Sequence, residues 1–240
     1  MTSWARGALM LVPLATGAQR GHDRTPMIGR NTTFRDRTDA GEQLAAMVRE
    51  RLEGPAVVLG VPRGGVVVAV PVARALSAPL DVVVPRKLGA PGNPELGIGA
   101  VAPGVRVLHD DLVRRLRVPE AFIEEETVTQ QAEVERRTIA YRGDRPQPEL
   151  AGRAAVIVDD GVATGGTVLA AIAWARARGA ARVVLAVPVL PAQLLTRLEA
   201  VADDVIAVLA PWWFGAVGEW YEDFRQVTDG EVRAALAAPG

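Results

Sequence analysis

The chain has 240 residues, 49 % of them hydrophobic, enough to bury the core of one sizeable domain. A formal net charge of −1 offers nucleic acid no general positive field, and the absence of cysteine excludes disulfides and thiolate metal sites. No apolar run reaches the roughly 18–20 residues a membrane span needs, so a soluble, cytoplasmic protein without membrane or nucleic-acid partners is expected.

"MTSWARGALMLVPLATGAQRG" faintly resembles a signal peptide, but its apolar stretch is short and no clean A-x-A site follows. Residues 1–32 are therefore read as a leader, disordered or preceding the true start, and set apart from the fold. Residues 33–240 are expected to form a single domain. Asp39 and Glu42 make a capping pair for a helix through "EQLAAMVRERL", which Gly54 and Pro55 stop. "AVVLGV" (56–61) reads as a buried strand, "PRGG" (62–65) as a tight loop, and "VVVAVPVARAL" as a helix in which Pro71 fits poorly. "LDVVVP" (80–85) is a second strand. "RKLGAPGNPELG" (86–97), with three Gly and two Pro, reads as a long polar loop. "IGAVA" and "VRVLH" are strands around the Pro103-Gly104 turn.

Residues 110–117 and 119–141 are helical, with Pro119 at a first helical position. They interrupt the alternation as a helical insertion over 110–142, a flap or side lobe. Strands 154–158, 182–187 and 204–209 then alternate with helices 167–178 and 191–201. An aromatic segment, 210–230, follows. This pattern predicts an α/β fold: an open parallel sheet flanked by helices, Rossmann-like.

"VIVDDGVATGGT" (156–167) carries the chemistry. A β-branched strand ends at Asp159 and Asp160, where ligands of open parallel sheets sit. The backbone N–H groups of Ala163, Thr164, Gly165, Gly166 and Thr167 can wrap a phosphate at the positive end of the next helix. Carboxylates for diol hydroxyls beside a loop for phosphate suit a sugar phosphate. The Lys of a Walker loop is missing, and the spacing is not that of a dinucleotide fingerprint. An ordinary Asp-Gly turn would not need the complete string.

The string resembles the 5-phosphoribosyl-1-diphosphate (PRPP) signature of type I phosphoribosyltransferases. The whole chain, including "GAPGNPELGIGAV", is similar to a group of uncharacterised bacterial members. The resemblance implies that Asp159 and Asp160 bind the ribose hydroxyls and that Ala163 to Thr167 bind the 5′-phosphate. "VPRGG" resembles the pyrophosphate loop, placing Arg63, Gly64 and Gly65 at the diphosphate. "PRKLG" resembles the start of a mobile catalytic loop, with Arg86 and Lys87 as diphosphate ligands and Gly89, Gly92 and Gly97 lending flexibility for closure over PRPP.

The implied reaction moves the 5-phosphoribosyl group from PRPP to a nitrogenous, nucleobase-like acceptor and releases pyrophosphate. Its transition state is oxocarbenium-like, and Mg²⁺ neutralises the leaving group. Purine-salvage members carry a third acid where this chain has Ala163, which cannot transfer a proton. Members acting on orotate also lack it. Against that, "WWFGAVGEWYEDFRQV" (212–227) holds six of the chain's eleven aromatic residues. It weakly resembles a base-stacking segment of hypoxanthine-guanine enzymes. On that match Trp212 and Trp213 contact the acceptor, Glu219 joins Asp160 near metal, and Arg225 lies near pyrophosphate. Covering a sheet edge or a subunit contact would equally occupy these aromatics. His109 and His22 are too isolated for a metal site or triad, and His109 reads as a strand-end surface residue. "EEET" and "EVERR" read as a solvated face with i,i+4 pairs. A non-catalytic PRPP sensor remains the alternative, and a homodimer is expected by analogy with the fold.

Overall fold

Residues 33–237, the part that the computed structural model describes, alternate helix and strand as their apolar patterning requires. The leader assigned to residues 1–32 lies outside them. In chain order the elements are α1 (Arg37–Arg51), β1 (Ala56–Gly60), α2 (Gly64–Leu76), β2 (Leu80–Val82), β3 (Arg86–Ala90), β4 (Asn93–Ala102), β5 (Val105–Leu108), α3 (Asp110–Leu116), α4 (Glu120–Arg142), β6 (Ala154–Val158), α5 (Gly166–Ala177), β7 (Arg182–Val189), α6 (Leu195–Glu199), β8 (Asp204–Leu209) and α7 (Asp229–Ala237). No helix among the described residues is long and apolar enough to cross a membrane.

Five strands form a parallel sheet in the order β2-β1-β6-β7-β8. Their near-continuous Val, Ile, Leu and Ala runs are what a sheet buried on both faces demands. Side chains alternate across it. Val57, Leu59, Ala155, Ile157 and Leu185 pack with Val168, Ala171 and Trp174 of α5. Val58, Val156, Val158 and Val184 pack on the other face with Leu44 and Val48 of α1 and Val68 and Val72 of α2. Pro71 stays inside α2.

Two local expectations are corrected. The N-cap of α1 is Asp36, whose side chain accepts from the amides of Thr38 and Asp39 at 2.8 and 2.9 Å. Asp39, one turn in, instead accepts from the Arg35 amide at 3.0 Å. The second correction is larger. Residues 86–97 are not a loop: β3 and β4 pair as an antiparallel hairpin, with β5 completing a second sheet. Leu88, Ile98 and Val101 are buried there under Ile123 and Val134 of α4. The glycines serve this hairpin. Gly92, at φ 72°, makes its turn, and a Cβ on Gly89 would stand 2.7 Å from the Pro94 Cα at the register shift.

The α3–α4 segment therefore lies on this second sheet, and the end of α4 is anchored to the main one. Tyr141 packs with Val66, Val82 and Val84. Asp81 on β2, 4 % exposed, accepts from Arg142 Nε at 2.9 and 3.2 Å, with Arg145 at 3.9 Å. Removing one partner of a buried pair strands the other charge. Arg142→Met is expected to destabilise the protein by about 3–5 kcal/mol in chemical denaturation. Adding Asp81→Asn should recover most of the loss.

Candidate functional site

The sheet order reverses between β1 and β6: β2 lies on one side of this pair, β7 and β8 on the other. Connections leave in opposite directions there, opening a crevice beyond the strands' carboxyl ends. Pro62–Gly65 follows β1 and Asp159–Thr167 follows β6, so topology brings together segments almost a hundred residues apart. A cavity of about 320 Å³ lies between them, lined by Arg63, Gly64, Asp159, Asp160, Thr167 and, from the other side, Phe224.

Contact here is close because glycine permits it. A Cβ on Gly64 would overlap the Asp160 carboxylate, and one on Gly65 would stand 2.6 Å from the Val158 carbonyl oxygen. The Asp160 amide donates to Asp159 Oδ1 at 2.9 Å. Burial, with the neighbouring charge of Asp160 second, raises the Asp159 carboxyl well above its ordinary range.

Asp160 has partners that sequence reading missed. Arg37 Nε, at the start of α1, donates to Asp160 Oδ2 at 2.7 Å. The Tyr221 hydroxyl donates to the Asp160 backbone carbonyl at 2.5 Å. Burial, and next the Asp160 charge, raises the Tyr221 hydroxyl far above its usual range, so it stays a protonated donor. Parallel bridging of Phe34 with Tyr221 ties the start of α1 to the aromatic segment and brings both partners to the acid.

Beyond the acids, Ala163 and Thr164 lead to Gly165, which at φ 83° starts α5 with no side chain capping it. The first amides of α5 are thus left for an external acceptor. His109 is not the surface residue expected. It is half-buried, its Nδ1 lies 2.8 Å from Arg197 Nη2, and its Nε2 lies 3.8 Å from the Cβ position of Gly166. Burial, then the Arg197 charge, lowers its pKa and keeps it neutral. With Arg197 donating to Nδ1, the proton sits on Nε2, beside the start of α5.

Other expected residues lie outside this cavity's lining. Arg86 Nε donates to Gln130 of α4 at 3.0 Å, and Lys87 Nζ holds Glu95 of its own hairpin at 3.1 Å. Arg225 pairs with Glu231 at 2.6 Å, although its carbonyl accepts from Arg37 Nη1 at 2.8 Å. Glu219 is turned onto Gly215 in the 3₁₀ turn Val217–Trp220. The aromatic segment divides. Phe214 stacks on Trp220, and Tyr221 packs between Phe34 and Phe224. Trp212 and Trp213 project, 63 and 87 % exposed. Among the described residues no three His, Asp or Glu form a cluster able to hold a metal.

These features define an open parallel α/β protein with acids, a cation and unpaired helix amides gathered at its switch point. Residues 34–222 match the phosphoribosyl transferase domain family, to which the chain belongs. Proteins from two strains of Mycobacterium tuberculosis, provisionally named phosphoribosyl transferases, are each 49 % identical over 204 residues. The match covers 85 % of this chain and 46 % of theirs, so the chain spans about half the length of these curated relatives. The crystal structure of TT1426 from Thermus thermophilus is 46 % identical, covers 85 % of this chain and 97 % of its own, and superposes with a TM-score of 0.73.

A raised carboxyl makes the folded state bind the proton more tightly than the unfolded one. Stability is therefore lost as pH rises from the ordinary Asp value of 3.8 through the raised one. Asp159→Asn removes that charge. Its melting temperature should exceed the wild type's at pH 7, by about 2–4 °C per kcal/mol relieved. In pH-resolved calorimetry the gap should close below 3.8.

Proposed function

We propose that the chain binds PRPP in the crevice between β1 and β6, transfers its 5-phosphoribosyl group to a nitrogenous acceptor and releases pyrophosphate. The observation that carries this reading is the convergence of Arg63, Gly64, Asp159, Asp160 and Thr167 on one cavity. Asp159 and Asp160 accept hydrogen bonds from the ribose 2′ and 3′ hydroxyls. A diol donor relieves the desolvation that raises Asp159. The amides from Ala163 to Thr167 take the 5′-phosphate at the start of α5.

Arg63 serves the diphosphate together with the amides of Gly64 and Gly65. Its guanidinium is 41 % exposed and only loosely paired, 3.8 Å from Asp229, so it can turn to an anion at small cost. Arg86 and Lys87 join it by exchanging Gln130 and Glu95 for diphosphate oxygens. Mg²⁺ is part of the proposal, held at Asp160, a hard oxygen donor of the kind it prefers; Glu219, turned onto Gly215 outside the cavity, is not placed to join it. The ion would supply neutralisation of the leaving diphosphate. Because Arg37 already compensates Asp160, most of the ion's ligands would be substrate oxygens and water. The exposed indoles of Trp212 and Trp213 offer an acceptor ring a stacking face. Ala163 supplies no proton, so the acceptor nitrogen must be nucleophilic without an acid at that position.

The test is pyrophosphate release from PRPP and Mg²⁺ against purines, orotate, uracil and simple aromatic amines and acids. Release should depend on the acceptor, vanish in Asp160→Asn and fall about 10²-fold in kcat in Lys87→Ala. PRPP binding in a calorimeter without release would replace the transferase by a PRPP sensor. Absence of both would overturn the reading of the crevice.

A further inference from the structure

Arg37 is the least expected residue of the site. It opens α1, yet it is only 8 % exposed. Its guanidinium is fixed on three sides. Nε donates to Asp160 Oδ2 at 2.7 Å and Nη1 to the Arg225 carbonyl at 2.8 Å. Its Cζ lies 3.9 Å from the centre of the Phe224 ring, within cation–π range. A Cβ on Gly64 would stand 2.6 Å from Arg37 Nε, so the glycine of the loop after β1 makes room for this ion pair as well as for the acid.

Burying an arginine beside a carboxylate seldom improves stability over an apolar pair, because both ions lose their hydration. The arrangement makes sense if the carboxylate must hold one orientation. Anchoring Oδ2 through Nε restricts rotation of the carboxylate, and with it the directions in which Oδ1 is presented. The positive charge also offsets the repulsion between Asp159 and Asp160. An acid pair left to itself would rotate apart.

We propose that Arg37 is a positioning residue for ribose recognition. It holds Asp160 in one orientation, so that the diol site is formed before ligand arrives. Phe224 and the Arg225 carbonyl act through Arg37 by keeping its guanidinium in plane. Preorganisation of this kind improves affinity by removing an ordering cost from binding. Arg37 lines the same cavity as Arg63 and Thr167, but its polar contacts are Asp160 and Arg225 and not the phosphate loop at the start of α5, so the effect is assigned to the diol. The inference rests on the assignment of Asp160 to the ribose hydroxyls.

The consequence is a separation between ligands with and without a ribose. Calorimetry in metal-free buffer would compare ribose 5-phosphate with inorganic phosphate, on wild type, Arg37→Met, Arg37→Lys, Phe224→Leu, Asp160→Asn and the Arg37→Met/Asp160→Asn double variant. Arg37→Met should weaken ribose 5-phosphate by about 10- to 100-fold, as loss of a hydrogen bond between charged groups does. Inorganic phosphate should bind within about twofold of wild type, inside the usual scatter between uncoupled sites. Arg37→Lys keeps the charge without the fork and should recover only part of the loss. In the Asp160→Asn background Arg37→Met should add almost nothing, because the two act as one unit. Should Arg37→Met not fold, Phe224→Leu leaves both hydrogen bonds in place and should still weaken ribose 5-phosphate selectively. Unchanged ribose 5-phosphate affinity, equal loss of both ligands, or additivity with Asp160→Asn would each overturn the proposal. If wild type binds inorganic phosphate but neither ribose 5-phosphate nor PRPP, the assignment of the acids to ribose falls, and this inference with it.

Discussion

Two adjacent carboxylates at the end of a buried parallel strand repel each other and have lost much of their hydration. Neither stays where it is without compensation. In this chain the compensation comes from two directions. The Asp160 amide turns back to Asp159. Arg37 and Tyr221, from the two ends of the folded chain, take the Asp160 carboxylate and carbonyl. The bridge between Phe34 and Tyr221 is the structural condition for both. That bridge explains why an aromatic segment far from the sheet centre shares its packing with the start of α1.

The crevice needs a second condition, close approach of backbone. The loop after β1 must lie against the loop after β6, and only glycine at 64 and 65 permits this. What reads in sequence as a phosphate-facing pair of glycines is therefore also a packing requirement of the acid pair. One pair of residues thus serves both the fold and the proposed chemistry. Substituting either would be expected to disturb the acids before any ligand is considered.

Much of this is legible in the sequence, and the rest is hidden for identifiable reasons. The strands 154–158 and 204–209 are rich in β-branched residues and bounded by breakers, and the structure reproduces both. The acid-and-loop string is local, so its elements remain adjacent when folded. Arg37 is different: its partner lies 123 residues away, and in sequence it is one more charge beside the cap of a helix. The capping pair expected at Asp39 falls one turn late, because Asp36 and Asp39 both precede the apolar period and periodicity does not choose between them. The 86–97 hairpin has the Gly and Pro density of a loop, so composition misplaces it. Its apolar residues, Leu88 and Ile98, show their purpose only once Ile123 and Val134 of α4 cover them. His109 has no neighbour in sequence that would mark it; Arg197 comes from another element entirely.

The hairpin bears on the cations it carries. Lys87 and Arg86 sit on a paired strand, so they cannot depend on loop disorder to reach an anion. Their present contacts are nonetheless weak ones to give up. The Lys87–Glu95 pair has side chains 41 and 93 % exposed, and pairs of that kind contribute about 0–1 kcal/mol. Arg86 bonds a neutral amide, Gln130, where a diphosphate would offer charge-assisted, bidentate acceptors. On the proposed reading, the exchange would favour the anion on both residues. What limits it is the geometry of β3, whose pairing with β4 changes register on either side of Gly89. A strand with such an irregularity bends there more readily than a regular one, and the bend lies within a few residues of both cations.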